Sequence, residues 1–154
     1  MRIALYQPDI AQNTGTMLRL AACLNVAVDI IEPAGFDLSS RALRRAALDY
    51  FDYVKLKRHN TYDDFRLDVE RNGSRIVLLT TKADAEYHNV VYRDTDVILA
   101  GRESAGAPQD VHASVNLRVK IPMRPELRSL NVAVSLAMVL GEALRQTSGF
   151  SQLR

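Results

Sequence analysis

The chain of 154 residues lacks features that several classes of protein require. Its single cysteine, Cys23, excludes an internal disulfide. The three histidines, His59, His88 and His112, are too scattered to form a metal-ligand cluster. No stretch approaches the roughly 18 consecutive apolar residues of a membrane span, and the N-terminus becomes polar too early for a signal peptide. We therefore expect a cytoplasmic protein with no metal centre and no membrane segment.

The sequence signatures of three common enzyme classes are also incomplete. Gly101 and Gly106 have the spacing of an ATP-binding phosphate loop, but residues 107–108 are Ala-Pro where Lys and Ser or Thr are needed. No G-x-G-x-x-G follows the first strand-like run, which argues against a dinucleotide-binding enzyme. Ser104 resembles the serine of a nucleophile elbow, but Arg102 replaces the leading glycine, which argues against a serine hydrolase.

The composition is that of a folded protein with one core. Hydrophobic residues make up 47% of the chain and charged residues 25%, which is typical of globular proteins. The length suits one domain, which we expect to span residues 1–154.

Apolar runs that suit strands alternate with segments of helical periodicity, and the connections are short. Ser39 or Ser40 is placed to cap the second helix, and Thr61, three residues before Asp64, the third. The sequence therefore predicts an α/β fold with a mostly parallel sheet flanked by helices. Its six strands are expected at residues 2–7, 26–32, 53–57, 75–81, 96–101 and 115–121, and its helices at residues 14–24, 39–48, 61–71 and 130–146.

Two loops carry most of the functional information. Residues 98–108 and 121–131 each place Gly or Pro and small polar residues where an apolar run stops. In a parallel sheet, ligands bind beyond the carboxyl ends of the strands. Glycine lets the backbone of such a loop approach a ligand closely. The two loops therefore predict one pocket, built at the ends of neighbouring strands.

The first helix has the pattern Asn13-x-Gly15-x-x-x-Arg19. We expect Asn13 and Gly15 to form the turn into this helix, whose N-terminus favours an anion. Arg19 follows about one turn later, either in a functional site or on a solvated face. Cys23 is expected to be buried on the same helix as a small apolar residue.

The net charge of +2 does not by itself indicate nucleic-acid binding, but the basic residues are grouped. Such groups either follow a phosphate backbone or form solvated faces, and without further evidence we favour the solvated faces. The groups are Arg41, Arg44 and Arg45; Lys55, Lys57 and Arg58; and Arg124 and Arg128.

The last helix is apolar on nearly every side. Such a helix must be covered on several sides, either by its own domain or by a second subunit. We favour a homodimer interface.

Six segments, in chain order, carry a resemblance that covers nearly the whole chain: PDIAQNTGTMLRLAACLN, IIEPAGF, LRRAALDY, LLTTK, GRESAG and IPMRPELRSLN. Together they are similar to the SPOUT superfamily of RNA methyltransferases. Within it they most resemble the small tRNA 2′-O-methyltransferases that modify the wobble nucleotide.

This resemblance implies a C-terminal trefoil knot, which periodicity cannot reveal and which is rare among folds. It implies that the knot loops bind S-adenosylmethionine in a bent conformation. The cofactor-binding residues would be Leu79, Gly101, Ile121, Ser129 and Leu130.

The resemblance also implies a substrate, an assembly and catalytic residues. The substrate would be the tRNA anticodon stem-loop, methylated on cytidine or modified uridine 34, in leucine isoacceptors. Members are homodimers packed through the knot region and the last helix, so that Arg19 of one subunit faces the cofactor of the other. The resemblance makes Arg19 the catalytic residue, often called a general base. Because a guanidinium has no free lone pair to accept a proton, we expect Arg19 instead to hold the adjacent phosphate and stabilise the developing alkoxide. Glu103 would orient Arg19 or, alternatively, stabilise its own loop, while Asn13 would shape the site and Ser129 would also cap the last helix.

Some positions depart from the family pattern. Ala100 and Arg102 surround Gly101 where Phe and Pro are frequent, and Gly141 lies where Tyr is common. Leu130 replaces a common Met. Two other functions remain open: methylation of another tRNA or rRNA ribose, and a catalytically silent RNA-binding dimer.

Overall fold

The computed structural model describes residues 1–153, in which seven strands form one sheet. Every neighbouring pair in the sheet is parallel, and the strand order is β3-β2-β1-β6-β4-β7-β5. The strands are β1 (Arg2–Tyr6), β2 (Ala27–Ile31), β3 (Leu56–His59), β4 (Ile76–Leu79), β5 (Ala85–Glu86), β6 (Val97–Ala100) and β7 (Leu117–Lys120).

Helices cover both faces of the sheet. Helices α1, α2 and α5 pack into one buried apolar cluster, and α3 and α4 into the other. Short 3-10 turns follow α2, β5 and α5 at Leu48–Tyr53, Tyr87–Asn89 and Gly149–Leu153. The helices are α1 (Ala11–Cys23), α2 (Ser40–Ala47), α3 (Tyr62–Arg71), α4 (Gln109–Ser114) and α5 (Val132–Gln146).

Strand β1 shows why the apolar runs are continuous. Ile3 and Leu5 enter the cluster under α1, α2 and α5, whereas Ala4 and Tyr6 enter the cluster under α3 and α4. Successive side chains of a strand point to opposite faces, so a strand covered on both faces needs apolar residues at every position.

The predicted fold class is confirmed, with differences at short elements. Ser39 caps α2 and Thr61 caps α3, as predicted. The six-residue helix α4 and the two-residue strand β5 were missed, because neither is long enough to show a period. Strand β3 begins at Leu56 rather than at residue 53, because the preceding residues form a 3-10 turn.

The interpretation of Gly15 as part of a turn was wrong. Helix α1 begins at Ala11, so Gly15 lies inside it. A Cβ atom built on Gly15 would lie 2.2 Å from the carbonyl oxygen of Ala46 in α2, which no side chain tolerates. The glycine therefore allows two helices to touch. Cys23, expected to be buried, is exposed.

Helix α5 also differs from expectation. It begins at Val132, and its N-cap is Asn131 rather than Ser129. One face is buried, but Val134 (50% exposed) and Met138 (39% exposed) leave an apolar stripe on the helix surface. Apolar residues four apart share one face of a helix, so these two side chains are neighbours. Leu130, which is 42% exposed, lies just before the N-cap.

The direction in which the chain adds strands to the sheet changes at β1. From β1 the chain adds β2 and β3 on one side, and all later strands lie on the other. The crevice between β1 and β6 is the position at which open α/β sheets bind ligands. Strand order alone does not define a threaded path, so the trefoil knot stays a prediction. No helix within residues 1–153 is both long and apolar enough to span a membrane.

Candidate active site

One cavity of about 640 Å³ opens at the carboxyl edge of the sheet. Its walls are the segments that follow β1, β4, β6 and β7, because parallel strands all end at this edge. The volume is within the range of about 300–1,000 Å³ that is usual for small-molecule sites.

Seven of the eight residues singled out from the sequence line this cavity, and Arg19 does not. The seven are Asn13, Leu79, Gly101, Glu103, Ile121, Ser129 and Leu130. The cavity also includes residues that were not among the predicted site residues, such as Thr81, Lys82, Met123 and Asn131, as well as Arg128 from one of the basic groups.

The loop after β6 turns back on itself and needs its glycines. Backbone hydrogen bonds join Arg102 and Gly106 in both directions, at 3.3 and 2.8 Å. A Cβ atom on Gly101 would lie 2.7 Å from the backbone nitrogen of Ala107. Gly106 has a φ of +67°, which other residues rarely adopt. Glycine therefore fixes the wall of the cavity.

Asp9 and Glu103 link the end of β1 to this loop. The Asp9 backbone N–H donates to Glu103 Oε2 at 2.9 Å, and the Glu103 backbone N–H donates to Asp9 Oδ1 at 3.1 Å. The Ser104 hydroxyl donates to the other oxygen of Asp9. Glu103 Oε1 is buried without a hydrogen-bond partner among the described residues, so an acceptor remains unused beside the cavity.

The two carboxyl groups of this link titrate in opposite directions. Burial raises the pKa of Glu103, and its hydrogen bond with the Asp9 carboxyl raises that pKa further. The same hydrogen bond lowers the pKa of Asp9 to about 2, with a contribution from Ser104. As the pH falls, the pair therefore takes up its first proton on Glu103.

Asn131 joins the loop after β7 to α1. Its Oδ1 accepts from the backbone N–H groups of Ala133 and Val134, at 2.9 and 3.2 Å, and so caps α5. Its Nδ2 donates to Asn13 Oδ1 at 3.0 Å. One side chain therefore fixes both the start of α5 and the amide of Asn13. Asn131 was missed because its partner lies 118 residues away.

Arg102, which departs from the family pattern, adds a further contact to β1. Its Nε donates to the carbonyl oxygen of Gln7 at 3.2 Å and its Nη2 to Gln7 Oε1 at 3.0 Å. Gln7 has a φ of 42°, a left-handed conformation. The arginine therefore supports a sharp bend at the end of β1.

Arg19 lies elsewhere, on an exposed part of α1. It follows Asn13 by six residues, about 9 Å along the helix axis. Its guanidinium carbon lies 4.6 Å from the centre of the Tyr50 ring. Within one chain Glu103 contacts Asp9 and not Arg19, so the expected Glu103–Arg19 pair is not formed there. The alternative, that Glu103 stabilises its own loop, matches the observed hydrogen bonds.

Four of the eight grouped basic residues form ion pairs within residues 1–153, including Arg124 with Glu126 at 4.0 Å. Arg44 contacts Asp52 at 2.6 Å and Lys57 contacts Asp68 at 2.5 Å, while Arg58 pairs with Glu32. These pairs match the solvated faces that the sequence favoured. Of the grouped basic residues, Arg128 instead lines the cavity, together with Lys82 and Arg102.

One group with metal-ligating atoms escaped the sequence analysis. Atoms of Asp29, His59 and Asp68 lie within 4.8 Å of one another. Arg2 contacts both carboxylates, at 3.2 and 3.0 Å, and Lys57 contacts Asp68. The carboxylate charges are therefore already compensated within the chain, as in a structural ion-pair network.

Comparison with known proteins reveals similarity over the full fold. The model of the SpoU rRNA Methylase family matches residues 1–141. A tRNA (cytidine(34)-2′-O)-methyltransferase of Beijerinckia indica is 57% identical over 98% of this chain and 94% of its own length. The Escherichia coli K12 protein of that name is 38% identical, over 95% and 93%.

Solved structures agree with these relatives. One, described as structural insights into the 2-OH methylation of C/U34 on tRNA, has a TM-score of 0.89 and 39% identity over 96% of both chains. The SpoU methyltransferase AviRb of Streptomyces viridochromogenes, solved with AdoMet, has a TM-score of 0.86 but 21% identity, over 95% of this chain and 57% of its own. This second likeness concerns the fold alone.

Proposed function

The chain belongs to the SpoU rRNA Methylase family, and from this premise we propose that it methylates the ribose 2′-hydroxyl of nucleotide 34 of tRNA. The methyl donor is S-adenosylmethionine, and the substrates are leucine isoacceptors with cytidine or modified uridine at that position. Relatives that match over nearly their whole length carry the name of this activity, which supports it over methylation of another ribose.

The cavity carries this proposal. Leu79, Ile121 and Leu130 give it apolar walls that suit a flat base, and the Gly101 loop brings backbone groups to its edge. The buried, unpartnered Glu103 Oε1 offers an acceptor to a ligand hydroxyl or amine. Polar and charged side chains, such as those of Asn13 and Arg128, line the rest of the cavity. This mixture suits S-adenosylmethionine, which joins a flat base to a polar and charged chain.

When bound, the cofactor supplies an electrophilic methyl group on sulfur. The protein then has to orient the ribose for in-line attack and to stabilise the oxygen as its proton leaves. Arg19 cannot accept that proton, because a guanidinium stays protonated in proteins and has no free lone pair. Its N–H groups instead hold the adjacent phosphate and the developing alkoxide, and the proton passes to phosphate or water. Asn13 shapes the cavity through its hydrogen bond with Asn131.

The site is completed by a second copy of the chain. Arg19 lies outside the cavity of its own chain, whereas exposed Leu130 lines that cavity and lies just before α5, which carries the exposed apolar stripe Val134 and Met138. A partner packed on this stripe lies beside the cavity. We therefore infer a homodimer, packed through the last helix and the predicted knot region, in which Arg19 of each subunit serves the cavity of the other.

The activity is tested by incubating the purified protein with unmodified leucine tRNA transcripts and S-adenosylmethionine carrying a labelled methyl group. We expect label on the 2′-oxygen of nucleotide 34, located by nuclease digestion and mass spectrometry. A transcript with 2′-deoxyribose at that position is the control and should remain unlabelled. Label at another ribose would support the alternative substrate, and calorimetry that shows no binding of the donor would support a silent RNA-binding dimer.

The shared site is tested by mixing two inactive variants, Arg19→Ala and a variant with a blocked cavity such as Gly101→Trp. A mixed dimer has one intact composite site if Arg19 serves the other subunit. Random mixing should therefore restore roughly a quarter of the wild-type activity, as half of the dimers are mixed and each has one of two sites. A mixture that stays inactive, although native mass spectrometry shows mixed dimers, contradicts the shared site.

A further inference from the structure

Arg19 has an unusual set of neighbours for a residue proposed to act in catalysis. Its guanidinium carbon lies 4.6 Å from the centre of the Tyr50 ring, close enough for a cation–π contact. Among residues 1–153, no carboxylate forms an ion pair with it. Arg44, on the neighbouring helix, lies near an aromatic ring at 5.1 Å but also pairs with Asp52 at 2.6 Å.

The fold brings Tyr50 to Arg19 through two stacked contacts. Gly15 lies against Ala46, and Arg19 and Tyr50 each follow four residues later along the chain. Residues four apart in a helix lie on one face, so the close approach at Gly15 directs Arg19 toward the segment that follows α2. Tyr50 is half-buried in that segment, the 3-10 turn Leu48–Tyr53.

The turn itself begins with a strained residue. Leu48 ends α2 with a φ of 55° and a ψ of −140°, a conformation that is essentially restricted to glycine. Its side chain is exposed, so burial of that side chain does not explain the strain. The strained bend turns the chain back over α1 and carries Tyr50 to its position on Arg19. Strain of this kind persists where the surrounding structure enforces it, often at functional sites.

We propose that Tyr50 is a positioning residue that holds the Arg19 guanidinium by its ring face. An aromatic face attracts a cation without using its N–H groups, whereas a carboxylate would occupy those donors and neutralise their charge. Tyr50 therefore orders Arg19 and leaves its donors free for the RNA phosphate and the developing alkoxide. This role rests on the proposed function, because it acts through Arg19.

The kinetic test uses Tyr50→Leu, Tyr50→Phe and Arg19→Ala, with the double variant Arg19→Ala/Tyr50→Leu. Tyr50→Leu should lower kcat roughly 3- to 30-fold, the range of a cation–π contact, without changing the affinity for S-adenosylmethionine. Tyr50→Phe keeps the ring and should retain activity. In the Arg19→Ala background, Tyr50→Leu should have no further effect, because it acts only through Arg19.

Phe51→Leu is the matched control, since Phe51 lies in the same turn and contacts Arg44 in the same way. It should leave kcat unchanged, even if it lowers the melting temperature as much as Tyr50→Leu. Equal losses of kcat in the two leucine variants would mean that Tyr50 has only a structural role, and so would a Tyr50→Phe variant as impaired as Tyr50→Leu. Additive losses in the double variant would likewise overturn the proposal.

A second measurement does not depend on methylation. In an NMR spectrum of the arginine Nε–Hε groups, the Arg19 resonance should be shifted by the ring current of Tyr50. The shift should survive in Tyr50→Phe and disappear in Tyr50→Leu. A wild-type resonance without a ring-current shift overturns the positioning role, even if the enzyme is active. Failure to methylate any tRNA, with the shift present, overturns only the proposed function.

Discussion

The two parts of the proposed site are built in opposite ways. The cavity is enclosed by loops whose glycines and backbone hydrogen bonds set its shape, whereas Arg19 is an exposed side chain supported by one aromatic ring. The cavity is complete within one chain, but the arginine has no place in it. A cavity shaped by backbone suits a small ligand of fixed structure, whereas an exposed cation suits a large anionic one.

The largest expected effect separates the two parts directly. Replacing Arg19 by Ala should lower kcat by about 10²- to 10³-fold, because a preorganised donor to the developing oxyanion is lost. The affinity for S-adenosylmethionine, measured by calorimetry, should stay as in the wild type. Arg71→Ala, on the opposite face of the sheet, is the control for loss of a positive charge. An Arg19→Ala variant with normal turnover on tRNA would refute the catalytic assignment.

Gly101→Ala should have the opposite effect, in that it disturbs the cavity and leaves Arg19 unchanged. The added Cβ would lie 2.7 Å from the Ala107 nitrogen, so the loop has to open. Overpacking costs about 1–3 kcal/mol, and on this loop it should weaken S-adenosylmethionine binding by roughly 5- to 150-fold. The ring-current shift of Arg19 should be unchanged, because the two parts are independent within one chain. Wild-type affinity in this variant would mean that the loop does not shape the site.

A smaller effect on kcat is expected from the contact between α1 and α2 at Gly15, one helical turn before Arg19. Gly15→Ala places a Cβ 2.2 Å from the Ala46 carbonyl oxygen and forces α1 and α2 apart. The free energy of unfolding, from urea denaturation, should fall by about 1–3 kcal/mol, and kcat should fall with it. Gly141→Ala is the control, since nothing lies within 4 Å of its added Cβ and alanine favours the helix. Equal stability of the two variants would contradict the close contact of α1 and α2.

The smallest expected effect concerns the link between β1 and the cavity loop. The pKa of Asp9 is about 2 in the folded protein and 3.8 ordinarily, so its ionised form stabilises the fold above about pH 4. This contribution is lost as the pH falls toward 2. Glu103 has a raised pKa, so its protonated form stabilises the fold at low pH, and that contribution is lost as the pH rises through the pKa of Glu103. Urea unfolding between about pH 5 and 2 should therefore show a shallower loss of stability in Asp9→Asn than in the wild type. Identical slopes would show that Asp9 is not stabilised by the link.

The cavity residues could be predicted from the sequence, whereas residues with distant partners could not. The cavity residues were accessible because loops at the ends of apolar runs are local features, and parallel strands bring their ends together. Family resemblance then selected seven residues that do line the cavity, although their roles stay predictions. Asn131, Asp9 and Tyr50 were not selected as site residues, because their partners lie far away in the sequence.

The sequence by itself determined the α/β alternation, the two loops rich in Gly or Pro and the family, since periodicity and short motifs are written in neighbouring residues. Only the tertiary structure decided that Gly15 is a helix contact, that Glu103 bonds to Asp9, and that Arg19 rests on Tyr50 outside its own cavity. These contacts depend on which distant surfaces meet when the core closes. A local sequence pattern does not encode such contacts, because the periodicity of a helix or strand is the same whichever surface it packs against.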